Sequence, residues 1–279
     1  MKRLKSLTNS VYLKNNFIIK VSNPGNDLYL NKKNEFNVLT EFIKTNQNII
    51  VKPKSYYFSE NRLYSTFKYL KKFKSLEEIK LSKKICTKIC LLIKDFHNIK
   101  INLKQIKEFD YKFMLNFFDK NIQKHIFNLK LEVTNILKEI TIFKKLKQFI
   151  SHNDLVPGNI LLNRLTKKII LIDYDYVMKN NKFFDIASFI TETCNENKKF
   201  ILFFVTECLN HKIINESELK ILDICIAYQD ILWTLWANYM FELTNNNLYL
   251  NIAHDKYNRV INRKKITDQI NSAKFKLRK

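Results

Sequence analysis

The segment "ISHNDLVPGNILLN", residues 150–163, places several polar side chains between two apolar runs. It also contains one of the two glycines and one of the three prolines of the 279-residue chain. Asp154 and Asn159 flank the prolyl-glycyl pair formed by Pro157 and Gly158. Because both polar side chains must point inward from one tight loop, we expect Gly158 to supply backbone angles that other residues avoid.

A second cluster of carboxylates follows at the end of "KKIILIDYDYVM", residues 167–178, which is typical of an apolar strand. Asp173 would then approach Asp154 and Asn159. Two carboxylates and an amide form a hard-oxygen site suited to Mg²⁺. An aspartate before a turn is also able to orient a hydroxyl group and take its proton. A positioned base and metal-binding oxygens are the components that phosphoryl transfer requires.

The flanking sequence predicts an α+β protein with two parts. Residues 11–22 and 49–70 have the character of short strands, residues 31–46 have helical spacing, and "SENR" (59–62) reads as a hairpin turn. Ser75 with Glu78 matches a capping box, so a long helix is expected to begin there. Further helices are expected at about 107–149, 183–194, 196–211, 216–245 and 247–270. The predicted parts are therefore a small β-rich portion, 1–70, and a large, mainly helical portion, 71–279.

The composition indicates a folded protein of the cytoplasm. Hydrophobic residues make up 46% of the chain and aromatic residues 13%, which argues against disorder. The N-terminus has no apolar stretch typical of a signal peptide, and the most apolar run is too short to span a membrane. The five cysteines form no CxxC pair, so we interpret them as core thiols in a reducing compartment.

The formal charge of +23 has two interpretations. A nucleic-acid or anionic-membrane partner would explain it. A lysine-rich, AT-rich coding background would explain it too, and would also account for the abundance of Asn, Ile, Phe and Tyr. The lysines are scattered along every segment, and no nucleic-acid-binding motif concentrates them. We therefore expect no nucleic-acid partner, and a weak contact with an anionic membrane surface stays open.

Two motifs resemble the choline/ethanolamine kinase and aminoglycoside phosphotransferase families, which share a protein-kinase-like fold. "HNDLVPGN" (152–159) matches the catalytic-loop pattern H-x-D-x-x-x-x-N. "LIDYDYVMKNNKFFDIASF" (171–189) is similar to the segment that follows this loop in those families. The chain looks most like choline kinases of the bacterial lipopolysaccharide-choline type. The resemblance implies a bilobal fold with a small β-rich N-terminal lobe and a large helical C-terminal lobe.

The same resemblance implies a role for each matched residue. Asp154 would be the catalytic base, and Asn159 and Asp173 would be the Mg²⁺ ligands. Asp185 would brace the catalytic loop rather than take part in the chemistry. His152 would form a structural hydrogen bond near the loop.

The N-terminal portion would bind ATP. In kinase-like folds a strand lysine contacts the phosphates and pairs with a helix glutamate. Lys20 lies on the second predicted strand and Glu35 on the helix that follows, so the two are expected to form this pair. "STFKYLKKF" (65–73) would be the hinge that receives the purine on backbone groups.

A segment near the N-terminus, "SLTNSVY" (6–12), resembles the G-x-T-N-x-x-Y segment that covers the phosphates in choline kinases. Thr8 and Asn9 match that pattern. Ser6 and Leu7 depart from it, because they stand where members of the family usually have glycine. The backbone contacts of this segment with the nucleotide are therefore left open.

The acceptor is expected to be choline, phosphorylated to phosphocholine. "AYQDILWTLWANY" (227–239) carries Trp233 and Trp236, the only tryptophans, on one face of a helix. The arrangement resembles the choline-binding helix of choline kinases, where ring faces attract a quaternary ammonium. By the same resemblance, Glu192 and Asp175 would be acids near that ammonium. A core stripe of aromatic side chains is the alternative interpretation.

Other functions remain as alternatives. Ethanolamine kinase and an aminoglycoside-type phosphotransferase belong to the same class of enzyme. A non-catalytic protein that binds nucleic acid or anionic lipid through its basic surface belongs to a different class, and would be expected to lack some catalytic residues.

Overall fold

The computed structural model describes residues 1–4, 6, 8–24, 28–194 and 196–277, so Leu7 lies outside the described residues. The chain divides into two compact units. The first comprises Met1–Phe109 and Gln148–Asn180, and the second comprises Asp110–Lys147 and Asn181–Lys279. This division differs from the predicted parts, 1–70 and 71–279, because the segment around the catalytic loop packs with the N-terminal strands.

The first unit contains an antiparallel sheet in the order β1-β2-β3-β5-β4. Its strands are β1 (Lys2–Leu4), β2 (Asn9–Lys14), β3 (Phe17–Ser22), β4 (Pro53–Ser59) and β5 (Arg62–Lys68). Asn15 and Asn16 connect β2 to β3 with positive φ angles of 49° and 65°. Two consecutive left-handed residues are typical of a tight hairpin turn, and asparagine tolerates them well. The predicted β-rich N-terminal portion is confirmed, including the hairpin at residues 59–62.

Helix α1 (Lys32–Lys44) follows β3, as the apolar spacing predicted. Its N-cap is Asn31, whose side chain accepts a hydrogen bond from the backbone N–H of Asn34. The helix buries Val38, Leu39 and Phe42 completely. The buried face also carries Glu35, so packing of the apolar residues fixes the place of a charged side chain.

The segment that matches the catalytic-loop pattern, residues 152–159, lies between short strands of the first unit and is called the catalytic loop below. These strands are β6 (Phe73–Ser75), β7 (Phe149–Ser151), β8 (Ile160–Asn163), β9 (Ile169–Leu171) and β10 (Met178–Asn180). The order β6-β8-β9 forms one antiparallel sheet, and β7 pairs with β10. Because β7 ends and β8 begins on either side of residues 152–159, both ends of the loop are anchored by strand pairing.

The helix predicted to begin at Ser75 begins later, at Lys83, and the predicted capping box is wrong. Helix α2 (Lys83–His97) has Ser82 as its N-cap. Ser75 instead ends β6, and Glu78 forms an ion pair with Lys74. Strand pairing in a tertiary sheet therefore overrides a local capping pattern.

The second unit is helical. Its helices are α3 (Tyr111–Asn121), α4 (Lys130–Glu139), α5 (Phe183–Ser188), α6 (Lys198–Asn210), α7 (Leu219–Thr244), α8 (Asn247–Asn262) and α9 (Ile266–Leu277). Helix α5 continues as a π-helical turn, Phe189–Thr193. Residues 228–240 of α7 are buried on every face, so α7 is the central helix of this unit.

The single helix predicted over 247–270 is two helices in the structure. The chain becomes extended at Arg263, where ψ is 125°. Asp223 of α7 then accepts hydrogen bonds from the backbone N–H groups of Ile266 (2.6 Å) and Thr267 (3.2 Å). These bonds satisfy donors at the start of α9. The cap comes from a distant part of the sequence, so local periodicity could not locate the break.

Among the helices of the described residues, none combines the length and the apolar character needed to cross a membrane. All five cysteines are buried, and none forms a disulfide. Their burial agrees with the interpretation of Cys86 and Cys90 as core thiols.

Candidate active site

Asn153 fixes the conformation of the catalytic loop. Its φ is 62°, in the left-handed region. Its amide nitrogen donates to the carbonyl oxygen of Tyr176 at 2.8 Å, and its amide oxygen accepts from Asn180 Nδ2 at 2.9 Å. Asparagine tolerates this backbone conformation, and the two side-chain bonds hold it in place.

The Asn159 side chain orients Asp154. Its Nδ2 donates to Asp154 Oδ2 at 2.8 Å and to the carbonyl oxygen of Asp154 at 3.0 Å. Pro157 begins the single 3₁₀ turn that separates the two residues. The structure therefore brings Asp154 and Asn159 together, as their spacing suggested.

Gly158 does not have the special backbone angles that we expected. Its φ is not positive, and the left-handed residue of the loop is Asn153. The glycine instead allows a close approach, because a Cβ at this position would lie 3.1 Å from Glu77 Oε1. The expectation about Gly158 is therefore corrected: it provides space for Glu77, and Asn153 provides the turn.

His152 joins the loop to the strand that precedes Asp173. The residue is fully buried, and its Nε2 lies 3.0 Å from the carbonyl oxygen of Ile172. Its ring packs near Phe96 and Tyr174, with centroids at 5.8 Å and 6.2 Å. The structural role implied for His152 is compatible with these contacts.

The β8–β9 hairpin brings Asp173 next to Asn159. Ile160 pairs with Leu171, and the backbone N–H of Ile172 donates to the carbonyl oxygen of Asn159 at 3.0 Å. The residue before β8 and the residues after β9 therefore lie at the same end of the hairpin. Asp173 has a positive φ of 64°, and its side chain is 32% exposed. The carboxylate is thus accessible at the end of the hairpin.

Lys20 belongs to a cluster of five charged residues. Its ammonium lies 2.9 Å from Glu35 Oε1, 2.6 Å from Asp173 Oδ1 and 2.6 Å from Asp175 Oδ1. A second ammonium, that of Lys32, lies 3.0 Å from Glu35 Oε2 and 2.7 Å from Asp175 Oδ1. The two lysines therefore share two carboxylates. The expected pairing of Lys20 with Glu35 is present.

The carboxylate of Asp175 also holds the segment that carries Thr8 and Asn9. Its Oδ2 accepts hydrogen bonds from Thr8 Oγ1 at 3.0 Å and from Asn9 Nδ2 at 2.5 Å. Asp175 is 3% exposed, and its two oxygens accept from four side chains of the first unit. The role of Asp175 beside an acceptor ammonium stays a prediction, and in this structure both of its oxygens accept from side chains of the first unit.

Opposite charges favour the charged forms of Asp175 and Lys20 in this cluster. Burial opposes ionisation of Asp175, but the ammoniums of Lys20 and Lys32 outweigh it and hold the pKa of Asp175 well below its ordinary value. Burial would also lower the pKa of Lys20, yet the carboxylates of Asp173, Asp175 and Glu35 raise it well above its ordinary value. Burial and the nearby Asp175 raise the pKa of Glu35.

Sequence reasoning missed Lys32. It lies in the first turn of α1, three residues before Glu35, so both side chains occupy the same face of the helix. Lysine is almost never fully buried without a partner. An i,i+3 pairing of Lys32 with a glutamate already assigned to the site was the signal available in the sequence.

The residues at the end of the β8–β9 hairpin fit a Mg²⁺ ion. Mg²⁺ keeps several waters and is usually bound by one or two carboxylates together with substrate phosphates. The partly exposed carboxylate of Asp173 and the side chain of Asn159 match this donor set. Within the described residues, no group of three or more His, Cys, Asp or Glu side chains is arranged to hold a metal. The described residues therefore fit a metal ion whose ligands are Asp173, Asn159 and the phosphate oxygens of a substrate.

The second unit contains three of the four residues expected to bind the acceptor: Glu192, Trp233 and Trp236. The indole rings of Trp233 and Trp236 meet edge to face, with centroids 6.0 Å apart, and Trp236 meets Tyr249 of α8 in the same way at 5.6 Å. Each indole is 8% exposed. Tyr249 extends the aromatic group and was not singled out from the sequence.

Glu192 lies beside the same helix. Thr191 Oγ1 lies 3.2 Å from Glu192 Oε1 and 3.1 Å from Gln229 Oε1. Gln229 is one helical turn before Trp233, so the acid and the indoles occupy neighbouring parts of the second unit. The Glu192 carboxylate is ion-paired with Lys256 of α8.

Asp185 is buried in α5, with 1% of its surface exposed. It belongs to the second unit, whereas the catalytic loop belongs to the first. Its bracing role therefore stays a prediction.

Comparisons with known proteins agree with this fold. The profile of the family described as choline/ethanolamine kinase matches residues 5–222. The structure of choline kinase LicA from Streptococcus pneumoniae superposes with a TM-score of 0.73 at 18% identity, over 93% of this chain and 91% of that chain. This likeness confirms the expected kinase-like α+β fold.

Two curated relatives match shorter stretches. Protein LicA of Haemophilus influenzae is 32% identical over 99 residues, which are 34% of this chain and 36% of that protein. Ethanolamine kinase of Drosophila melanogaster is 25% identical over 132 residues, which are 41% of this chain and 26% of that protein. The chain thus spans about a quarter to a third of the length of these relatives. Because the family profile covers well over half of the sequence, the chain belongs to the choline/ethanolamine kinase family.

Proposed function

We propose that the protein transfers the terminal phosphoryl group of ATP to the hydroxyl of choline, producing phosphocholine and ADP. The observation that carries this proposal is the geometry of the first unit. Asn159 holds the carboxylate of Asp154 at 2.8 Å, and the β8–β9 hairpin brings Asp173 next to Asn159. A held base next to metal-binding oxygens is the arrangement that phosphoryl transfer requires.

Lys20 is proposed to contact the phosphates of ATP. Glu35 lies 2.9 Å from its ammonium and fixes the direction of the side chain. The Thr8–Asn9 segment, bound to Asp175, would lie over the phosphates. Both contacts would place the reacting phosphoryl group without taking part in bond making.

Asn159 and Asp173 are proposed to hold Mg²⁺. The ion supplies positive charge that bridges and neutralises the phosphate oxygens. Asp154 would accept the proton of the attacking hydroxyl, and its hydrogen bond from Asn159 keeps the carboxylate turned for that purpose.

The acceptor is proposed to be bound by the second unit. A trimethylammonium group has no N–H to donate, so aromatic faces and the field of an acid are the groups that recognise it. Trp233, Trp236 and Glu192 offer this chemistry on neighbouring parts of α7 and the π-helical turn. Two acceptor alternatives within the class are ethanolamine, the substrate named for the Drosophila relative, and an aminoglycoside.

A non-catalytic protein that uses its +23 charge to bind nucleic acid or anionic lipid is the alternative from another class. The presence of Asp154, Asn159 and Asp173 in one connected arrangement favours catalysis over that alternative. We also propose that the protein acts in the cytoplasm and has no nucleic-acid partner.

The experiment that tests this function is a panel of small amino alcohols assayed for Mg²⁺-dependent ATP consumption. The panel comprises choline, ethanolamine, their N-methylated intermediates and an aminoglycoside, with the Asp154→Asn variant as the blank. We expect the highest kcat/KM with choline. If the wild type consumes ATP no faster than the Asp154→Asn blank with any of the acceptors, the proposal is contradicted. Salt-sensitive binding to nucleic acid without turnover would also contradict it.

A further inference from the structure

Lys256 is a buried lysine in the region proposed to bind the acceptor. Tyr249, Ala253, Lys256 and Arg259 are the buried residues of α8, so they form one face of that helix. The Lys256 side chain is 6% exposed, and its ammonium donates to Glu192 Oε1. A lysine is seldom buried to this degree without a partner, and here the partner is the acid expected to attract a substrate cation.

This ion pair lies on the same side of the second unit as the aromatic rings. Lys256 is two helical turns after Tyr249, whose ring meets Trp236 at 5.6 Å. On the other side of the pair, Thr191 Oγ1 lies within hydrogen-bond distance of both Glu192 and Gln229, and Gln229 is one turn before Trp233. The carboxylate, the ammonium and the indoles are therefore held by the contacts between α7, α8 and the π-helical turn.

The face of α8 that carries Lys256 is fixed by further contacts. Arg259 donates to the carbonyl oxygen of Thr191 and pairs with Asp255. Just beyond α8, Arg263 lies 2.6 Å from Asp230 Oδ2. Lys256 is consequently held in a rigid position rather than at the end of a freely moving side chain.

We propose that Lys256 is a specificity-determining residue that disfavours primary ammonium acceptors relative to choline. This inference rests on the proposed function. A primary ammonium such as that of ethanolamine gains affinity by donating hydrogen bonds to a carboxylate, but the Lys256 ammonium already donates to Glu192. A quaternary ammonium cannot donate, so it loses no hydrogen bond when that position is filled, and ring faces hold it.

The preference for choline comes from a cost imposed on ethanolamine rather than from an added attraction for choline. To bond Glu192 Oε1, ethanolamine would have to displace Lys256 from this ion pair and leave a buried ammonium without its partner. Choline needs no such displacement. Both acceptors experience the repulsion of the Lys256 charge, so the hydrogen bond is the property that separates them.

The test compares kcat/KM for choline and ethanolamine in the wild-type chain and in Lys256→Met. We expect the ratio of choline to ethanolamine to fall about tenfold or more in the variant, the size expected of a hydrogen bond to a charged group. The KM for ATP should be unchanged. Lys220→Met, on the exposed part of α7, is the matched control and should keep the wild-type ratio.

A second set of variants separates specificity from structure. Lys256→Arg keeps the charge and the donor and should keep the wild-type ratio. In Lys256→Met/Glu192→Gln, which removes both charges, the preference for choline should return, because no carboxylate is released for ethanolamine. If Lys256→Met fails to fold, Lys256→Gln takes its place, and its choline-to-ethanolamine ratio is compared with that of the double variant.

The outcomes distinguish this inference from the proposed function. Wild-type protein that phosphorylates no amino alcohol would contradict the proposed function itself. Wild-type activity on choline with an unchanged ratio in folded Lys256→Met or Lys256→Gln would overturn the inference alone. Equal losses of kcat/KM for choline and ethanolamine would also overturn it, since they would show that Lys256 only supports the fold. If neither single variant folds, an ethanolamine preference in the double variant would overturn it.

Discussion

The ammonium of Lys20 lies 2.9 Å from Glu35 Oε1, and this ion pair connects β3 to α1 within the first unit. The pair is buried, since the two side chains are 9% and 2% exposed. It belongs to a cluster in which two lysines balance three carboxylates. The position of the strand relative to the helix therefore depends on charge balance as well as on apolar packing.

Removal of the Lys20 charge should destabilise the protein strongly. Lys20→Met would leave Glu35 and Asp175 buried with only Lys32 as a cation, and removal of one partner from a buried ion pair costs about 3–5 kcal/mol. Chemical denaturation measures this change in the free energy of unfolding. Lys14→Met, at an exposed site on β2, is the control and should change it by less than about 0.5 kcal/mol. Equal stability of the two variants would contradict the role given to the cluster.

Asp154→Asn should abolish phosphoryl transfer and leave the fold intact. The residue lies on the loop and is only partly buried, and the loss of a positioned base costs about 10²–10⁴ in rate. We expect kcat to fall by that factor, with an unchanged melting temperature and ATP affinity. Asp95→Asn, at an exposed site on α2, should have wild-type activity. Turnover of Asp154→Asn near the wild-type rate would remove Asp154 from the mechanism.

Asn159 and Asp173 should determine the Mg²⁺ requirement. We expect Asp173→Asn and Asn159→Ala to raise the Mg²⁺ concentration at half-maximal activity, with the choline KM unchanged at saturating Mg²⁺. Stabilisation by Mg²⁺ and ATP in a thermal shift experiment should weaken in parallel, because a ligand that binds only the folded state stabilises it. Wild-type Mg²⁺ titrations for both variants would count against this site.

Asp175→Asn should affect the nucleotide more than the acceptor. Asp175 accepts from Thr8, Asn9, Lys20 and Lys32, all of which lie on the proposed nucleotide side. Because the substitution weakens hydrogen bonds to a charged group, we expect the ATP KM to rise about tenfold or more. If Asp175 instead binds the acceptor ammonium, the choline KM should rise while the ATP KM stays constant. Steady-state kinetics with each substrate varied separately decide between the two.

Trp233→Ala and Trp236→Ala should raise the choline KM by at least about tenfold, since a desolvated cation–π contact contributes about 2 kcal/mol. The ATP KM should change little, and Trp→Phe should be milder because a ring face remains. Both indoles are 8% exposed, so core packing is the competing explanation. Core packing predicts a loss of about 3–5 kcal/mol of stability with an unchanged choline KM in the folded enzyme. Melting temperatures and both KM values for each variant separate these outcomes.

The N-terminal strands and α1 followed from the sequence because local signals specified them. Two asparagines set the β2–β3 turn, and helical spacing set α1 with Glu35 on its buried face. The order and spacing of Asp154, Asn159 and Asp173 were likewise sufficient to place them at one hairpin end. In each case the residues that determine the structure lie close together in the chain.

The tertiary structure decided what depends on residues far apart. The start of α2 moved from Ser75 to Ser82 because β6 pairs with β8, and the break before α9 arose because Asp223 caps it. Asp175 belongs to a cluster with β3 and α1, and Lys256 reaches Glu192 across 64 residues. Composition and spacing identify groups that carry charge, but the free energy of a buried charge depends on its partner, and only the folded chain brings the partners together.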